Sequence, residues 1–551
     1  MPPAHERKRA AAFLFVLAFA SFLFLFKLGD RPLRNPDEGR YAEIAKEMVE
    51  TGDWVEPRLY GIDYLRKPPL LYWLVAGSFK VFGFTEFAAR LVPALFGILG
   101  VAAGFWFARE VFGLKSAFFA ALMLAANAWY LQVGRYLLID MVFTFFTVAG
   151  LYCFYLAAEK GRTAPALFFY VCAAMAFLSK GVVALVIPGI SILAYLLALR
   201  RARAVWPRMR PGWGIAIFLF LTLPWFVAVA KRQPEFLKFF FYHEHLKRFV
   251  SAQFEHQESW YFYLWVIPAV FMPWTLFFEP LRKAFSFPAD AARPARFFLL
   301  IASAGIVFFY SLSRTKLPTY ILPAVPLLTI LLADGWCRWE TAGMNAARRW
   351  AAAPLFLLLF VAFAALIGAG RVNYLGEPLT PGIIFQIRLL AGILIASSAA
   401  GLKAVRAGSV RRLFLSMLLA LGAGSIPVFF LMKAVSADYT TRPFAESLRA
   451  RLRPGDEVFI YDQPGAFYDF RFYLNAPVKL AGLEGELKLA PDGGEAGKIA
   501  VPKDRFKKML AGGGKIYCLM RQSDFSELEP ALRARLRVMS EDRRKVLVES
   551  P

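Results

Sequence analysis

Charge is scarce in this chain. Of 551 residues only 19% are Asp, Glu, Lys or Arg, whereas 58% are hydrophobic and the mean hydropathy is +0.49. Soluble domains carry about 25% charged residues, so a water-soluble enzyme, a disordered chain and a fibrous protein are excluded. Cysteine is scarce as well. Cys153, Cys172, Cys337 and Cys518 form no CxxC pair, so neither a thiolate metal site nor a disulfide framework is indicated. With only four His and no HExxH, a zinc-protease reading fails. Walker and GxGxxG loops are missing, so no cytoplasmic nucleotide is implied. Strict alternation of apolar and polar residues, the mark of an outer-membrane barrel, is missing too; apolar runs of about 20 residues stand in its place.

Those runs define an α-helical polytopic membrane protein. The first extends from Ala11 to Leu28 behind a basic N-terminus and is read as an uncleaved helix rather than a signal peptide. Twelve more are expected near 88–108, 114–131, 139–158, 164–180, 181–199, 212–230, 260–279, 297–313, 319–335, 350–370, 382–401 and 413–434. The surplus of Lys and Arg, 65 against 40 acids, sits in short loops such as 200–210, 281–296, 337–349 and 403–412. That distribution follows the positive-inside rule and does not indicate nucleic acid. About thirteen helices with a cytoplasmic N-terminus leave residues 435–551 outside. There, VFIYD, KIYCLM and KVLVE read as strands between helical stretches, a small soluble α/β domain with no recognisable chemistry. The expected division is 1–434, a transmembrane domain with outer loops 29–87 and 231–258, and 435–551.

In this topology the informative polar segments face outward. Loops this long usually carry function. Asn35-Pro36 marks a turn, and Asp37-Glu38 open an amphipathic helix. Acids at a helix N-terminus are favourable by themselves. A carboxylate near the lipid interface is also costly unless used, and the functional reading is a general base or a metal and substrate ligand. Arg66 and Lys67 precede Pro68-Pro69 and an apolar run too short to span, an interfacial helix whose cations either snorkel to bulk phospholipid or meet an anionic headgroup. Arg135 and Asp140 bracket a turn, where they either pair with each other or serve substrate. Lys180, between two apolar spans, needs an anionic partner. The 231–258 loop holds His243, a weak candidate ligand for a divalent metal, zinc or magnesium, and Arg248 broadly on the same side of a helix. Lys316 and Tyr320 lie in a short outer turn. Cations around one acidic pair at a membrane face fit a lipid-linked phosphate, with its leaving oxygens stabilised by the cations and the nucleophile deprotonated or oriented by Asp37.

The strings NPDEGRYAEIAKEMVETGDWVEPRLYG (35–61), KPPLLYW (67–73), RYLLIDM (135–141), FLSKG (177–181) and KLPTYILPA (316–324) resemble the membrane glycosyltransferases of the GT-C fold, in particular the lipid A 4-amino-4-deoxy-L-arabinose transferase group, relatives of the protein O-mannosyltransferases. The resemblance implies a catalytic Asp37 with Glu38 completing a diacidic motif, Lys67 and Arg248 on the polyprenyl phosphate, Asp140 and Lys180 as further active-site groups, and His243 as a metal-binding histidine. Arg66 departs from family members that place an acid before the KPP lysine. The implied reaction moves a sugar from a polyprenyl phosphate donor to lipid A or another acceptor at the periplasmic face of the inner membrane. A protein-acceptor mannosyltransferase is the alternative within the class, and a lipid transporter or flippase the alternative outside it.

Overall fold

A backbone in lipid must satisfy its own hydrogen bonds, so long apolar runs become helices. The computed structural model describes residues 4–247, 257–344, 348–374, 377–462, 464–482, 500–512 and 515–550. Among these, nine helices are long and apolar enough to cross a membrane. Two further pairs, Leu114–Ala125 with Ala128–Gly134 and Val183–Leu199 with Ala202–Met209, are bent by 61° and 117° and bring the number to eleven if each is one span. The first bend has a local cause. The Asn127 side chain accepts from the Tyr130 N–H at 2.9 Å and so caps a new helix where the run 114–131 was expected to continue.

The stretch 260–279 is not one helix. It divides into Phe262–Val270, a turn at Trp274–Leu276 and the start of Phe278–Ala284. Pro268 and Pro273 each remove a backbone donor, which a continuous helix cannot absorb twice in six residues. The run 319–335 begins as a short turn at Pro318–Ile321 and becomes helical over Ala324–Ala342.

The chain forms two compact units. The first comprises Met1–Leu28, Arg90–Pro224 and His243–Ala434 and holds most of the apolar helices. Ile139–Lys160 and Thr163–Lys180 form a helical hairpin across Gly161, whose φ of 65° ends the first helix in the left-handed region that glycine tolerates. Aromatic stacking fills the interior, as between Phe107 and Tyr152 with ring centroids 4.2 Å apart.

The second unit assembles Gly29–Ala89, Trp225–Tyr242 and Val435–Pro551. It contains the helices Asp37–Thr51 and Leu70–Phe82, the latter at 13 residues too short to span. Among its described residues the tail carries six strands: β1 (Glu457–Tyr461), β2 (Lys479–Ala481), β3 (Ala500–Val501), β4 (Ile516–Arg521), β5 (Arg537–Glu541) and β6 (Lys545–Glu549). They lie in the order β3-β2-β1-β4-β6-β5, with the first four parallel and β6 antiparallel to both neighbours. Phe459, Cys518, Met520 and Val548 bury one face of this sheet with Phe506 and Leu510 of the helix Lys503–Ala511.

Candidate functional site

In the second unit, the turn before Asp37 is tied down by long-range bonds. Asn35 exchanges hydrogen bonds with Asp469, its amide donating to the carboxylate and its oxygen accepting from the Asp469 N–H at 3.0 Å. The same carboxylate accepts from Thr440 Oγ1 at 2.7 Å and from the Thr441 N–H and hydroxyl at 2.9 and 2.7 Å. The Asn35 N–H donates to the Tyr439 carbonyl at 3.1 Å. This fixes the backbone on which Asp37 opens its helix.

The two acids of the motif then part company. Glu38 is fully buried, faces the Arg31 guanidinium at 3.2 and 3.3 Å, and accepts from the Arg34 N–H at 3.0 Å. Asp37 pairs with Arg40 one turn on, yet its side chain keeps 41% exposure. Of the pair, Asp37 is therefore the one a ligand can approach. Arg66 is buried and Lys67 half-buried, directly before the Pro68-Pro69 turn that starts Leu70–Phe82.

Further along the Asp37 helix, Glu43 and Glu47 are buried against Arg471, which also lies 3.3 Å from Glu50. Burial outweighs the nearby guanidinium and pushes the Glu43 carboxyl up to about 8; it raises Glu47 as well. Lys46 donates to the Arg471 and Phe472 carbonyls. No local pattern announces these contacts, which span more than 400 residues of sequence.

In the first unit, three expected residues meet. Lys180 Nζ lies 2.6 Å from the Asp140 carboxylate, 4.9 Å from the Tyr320 ring centre and 5.2 Å from that of Phe143. The anionic partner that Lys180 requires is Asp140, with two aromatic faces adding cation–π attraction. Arg135 does not stand in for it. Its guanidinium donates to the carbonyls of Leu23, Phe24 and Phe26 at 2.7–2.9 Å and lies over the Phe429 ring, bracing the end of the helix Ala4–Leu25. Lys316 donates to the carbonyls of Glu258 and Ser313 and shapes its own turn; burial lowers its pKa. His243 is exposed. Arg248 and His256 lie outside the described residues. Among the described residues no three His, Cys, Asp or Glu side chains are grouped so as to hold a metal ion.

Residues 66–227 match the family model for dolichyl-phosphate-mannose-protein mannosyltransferases. A crystal structure of ArnT from Cupriavidus metallidurans bound to undecaprenyl phosphate aligns with a TM-score of 0.84 over 98% of each chain, at 27% identity. The fold is that of the GT-C polytopic membrane glycosyltransferases, and the chain is a multi-pass membrane protein.

A curated Yersinia enterocolitica undecaprenyl phosphate-α-4-amino-4-deoxy-L-arabinose arabinosyl transferase is 34% identical over 331 residues, 59% of each chain. Its counterpart from Pseudomonas savastanoi pv. phaseolicola is 31% identical over 407 residues, 72% of this chain and 74% of that one. The chain thus spans 59% of the Yersinia relative's length. It belongs to the undecaprenyl phosphate-α-4-amino-4-deoxy-L-arabinose arabinosyl transferase family.

Proposed function

We propose that this protein is a glycosyltransferase that moves 4-amino-4-deoxy-L-arabinose from undecaprenyl phosphate to a phosphate of lipid A, at the periplasmic face of a bacterial inner membrane. The observation that supports it most is the end-to-end likeness to a relative whose structure holds undecaprenyl phosphate.

The chain's own groups suit this chemistry. When the bond between the anomeric carbon and the donor phosphate breaks, negative charge grows on the departing phosphate. Preorganised cations lower that barrier. Lys67 is assigned to the phosphate; Arg66, Arg135, Lys180, Arg248, Lys316 and Tyr320 are the remaining candidate substrate-binding groups. A phosphate acceptor is already largely ionised at neutral pH, given a second pKa of about 6, and needs no base. The accessible Asp37 carboxylate then orients the acceptor or stabilises positive charge developing on the sugar. A hydroxyl acceptor would require Asp37 as general base. Glu38, held by Arg31 and the Arg34 N–H, sets the geometry of this turn, and Asp140 holds the Lys180 ammonium in place.

The match to a protein mannosyltransferase model keeps a second acceptor in view, a Ser or Thr hydroxyl. Purified protein given undecaprenyl phosphate-linked aminoarabinose with either lipid A or a Ser/Thr peptide separates the two. Label is expected in lipid A; label in peptide alone refutes the lipid A assignment.

A further inference from the structure

The tail showed no chemistry as a sequence, but its sheet has a topological switch. From β1 the chain moves outward through β2 to β3, then crosses back to place β4 on the other side of β1. In open parallel sheets, ligands bind beyond the carboxyl ends of the strands at such a point, because the connections leave it in opposite directions and open a crevice. A cavity of about 450 Å³ lies there. Gly465–Phe467 follow β1 in the chain, Arg521 ends β4, and Arg543–Lys545 lead into β6, which runs antiparallel to β4. Small-molecule sites commonly enclose about 300–1,000 Å³.

The lining is strongly one-signed. Arg521, Arg543, Arg544 and Lys545 contribute four cations against one acid, Asp438. Arg521 forks onto Asp524 at 2.9 and 2.6 Å, Lys545 donates to the Asp438 and Thr440 carbonyls, and Arg544 is hydrogen-bonded to the Tyr439 hydroxyl. Arg543 and Arg544 are exposed in the turn that joins β5 to β6. Tyr439, also in the lining, has the Arg544 guanidinium 4.9 Å and that of Arg34 4.1 Å from its ring centre. Guanidinium groups match phosphate oxygens two at a time, and Gln522 and Ser523, also in the lining, carry side-chain oxygens to which a sugar's hydroxyls can donate. Asn35 and Pro36, the residues directly before Asp37, line the same cavity.

We propose that this cavity binds the phosphorylated saccharide headgroup of the acceptor glycolipid, an anion site separate from the donor-phosphate grip assigned to Lys67. The role in acceptance rests on the transfer reading above; the binding does not.

The test uses the full chain in phosphatidylcholine nanodiscs, titrated calorimetrically with glucosamine 1-phosphate, glucosamine or inorganic phosphate. Glucosamine 1-phosphate should bind at least tenfold more tightly than either fragment. R543A/R544A should weaken it at least tenfold, R543K/R544K, which keeps both charges but loses the forked match to phosphate, should weaken it by a smaller factor of about three or more, and Lys508→Ala, outside the lining, not at all. Unchanged binding in R543A/R544A overturns the site. Equal affinity for inorganic phosphate overturns the saccharide component and leaves a plain anion site. Transfer is read separately. Wild-type protein that binds glucosamine 1-phosphate but transfers nothing refutes the transfer reading and spares the cavity. Undiminished transfer by R543A/R544A at subsaturating lipid A refutes the acceptor role.

Discussion

Raising the pH should loosen the helix Asp37–Thr51 from the tail residues around Arg471. Glu43 is fully buried in that helix and its carboxyl is held up to about 8, against 4.5 for an unperturbed group. Between those values the folded protein keeps a proton that the unfolded chain has lost. The stabilisation is therefore complete below the unfolded value and drains away as pH climbs through the folded one. At about 1.4 kcal/mol per pH unit, the interval amounts to roughly 5 kcal/mol. Hydrogen exchange of the 37–51 segment in the detergent-solubilised full chain reads this directly, after correction for intrinsic base catalysis. Protection should fall between about pH 5 and about pH 8, and Glu43→Gln, which cannot ionise, should remove most of that slope. Arg471→Met bares the buried acids and should cost on the order of 3–5 kcal/mol at the alkaline end. Its damage should shrink on acidification, as the carboxyls take up protons. Wild-type protection that is flat or rises with pH, or an unaltered slope in Glu43→Gln, refutes the reasoning.

Asp37→Asn should abolish transfer while membrane insertion and Glu38's contacts stay intact; wild-type turnover would remove Asp37 from the mechanism. Lys67→Ala should raise the donor KM at least tenfold, by loss of roughly 1.4 kcal/mol or more of charge-assisted phosphate binding, and an unchanged donor titration would refute its assignment. Asp140→Ala and Lys180→Met should each lower thermal stability, with the double variant less damaged than their sum by about 0.5–3 kcal/mol; strict additivity would show that the pair is not coupled. Arg135→Met strips three carbonyls of their donor and should destabilise the helix Ala4–Leu25 by about 1–3 kcal/mol, measurable as proteolytic sensitivity of that end; resistance equal to wild type would refute the bracing role.

What the sequence disclosed depended on range. Apolar runs fix helices through local necessity, and so Leu70–Phe82 and the helix opened by Asp37 were legible. The strands VFIYD, KIYCLM and KVLVE reappear within a residue as β1, β4 and β6. Failures came where a polar or proline residue overrides hydrophobicity, as Asn127 does in one run and Pro268 with Pro273 in another. In the candidate site, Lys180 demanded an anion and found one, but Asp140 lies 40 residues from Lys180 and far nearer in sequence to Arg135, and only tertiary packing chose between them. Glu38 and Asp37 are adjacent and alike as letters. What divides their duties is Arg31, whose role no spacing rule predicts. Asp469 and Arg471 carried no signal, because their partners lie at the far end of the chain.

That distance has a consequence for biogenesis. Asn35 waits 434 residues for Asp469. At a translation rate of about 5–20 residues per second, the first loop leaves the ribosome roughly 20–90 s before the strand-rich end exists to receive it. During that interval Glu43 and Glu47 have no Arg471, and the turn before Asp37 has no anchor. A nascent chain halted after its last apolar helix would therefore insert normally and still lack an ordered Asp37.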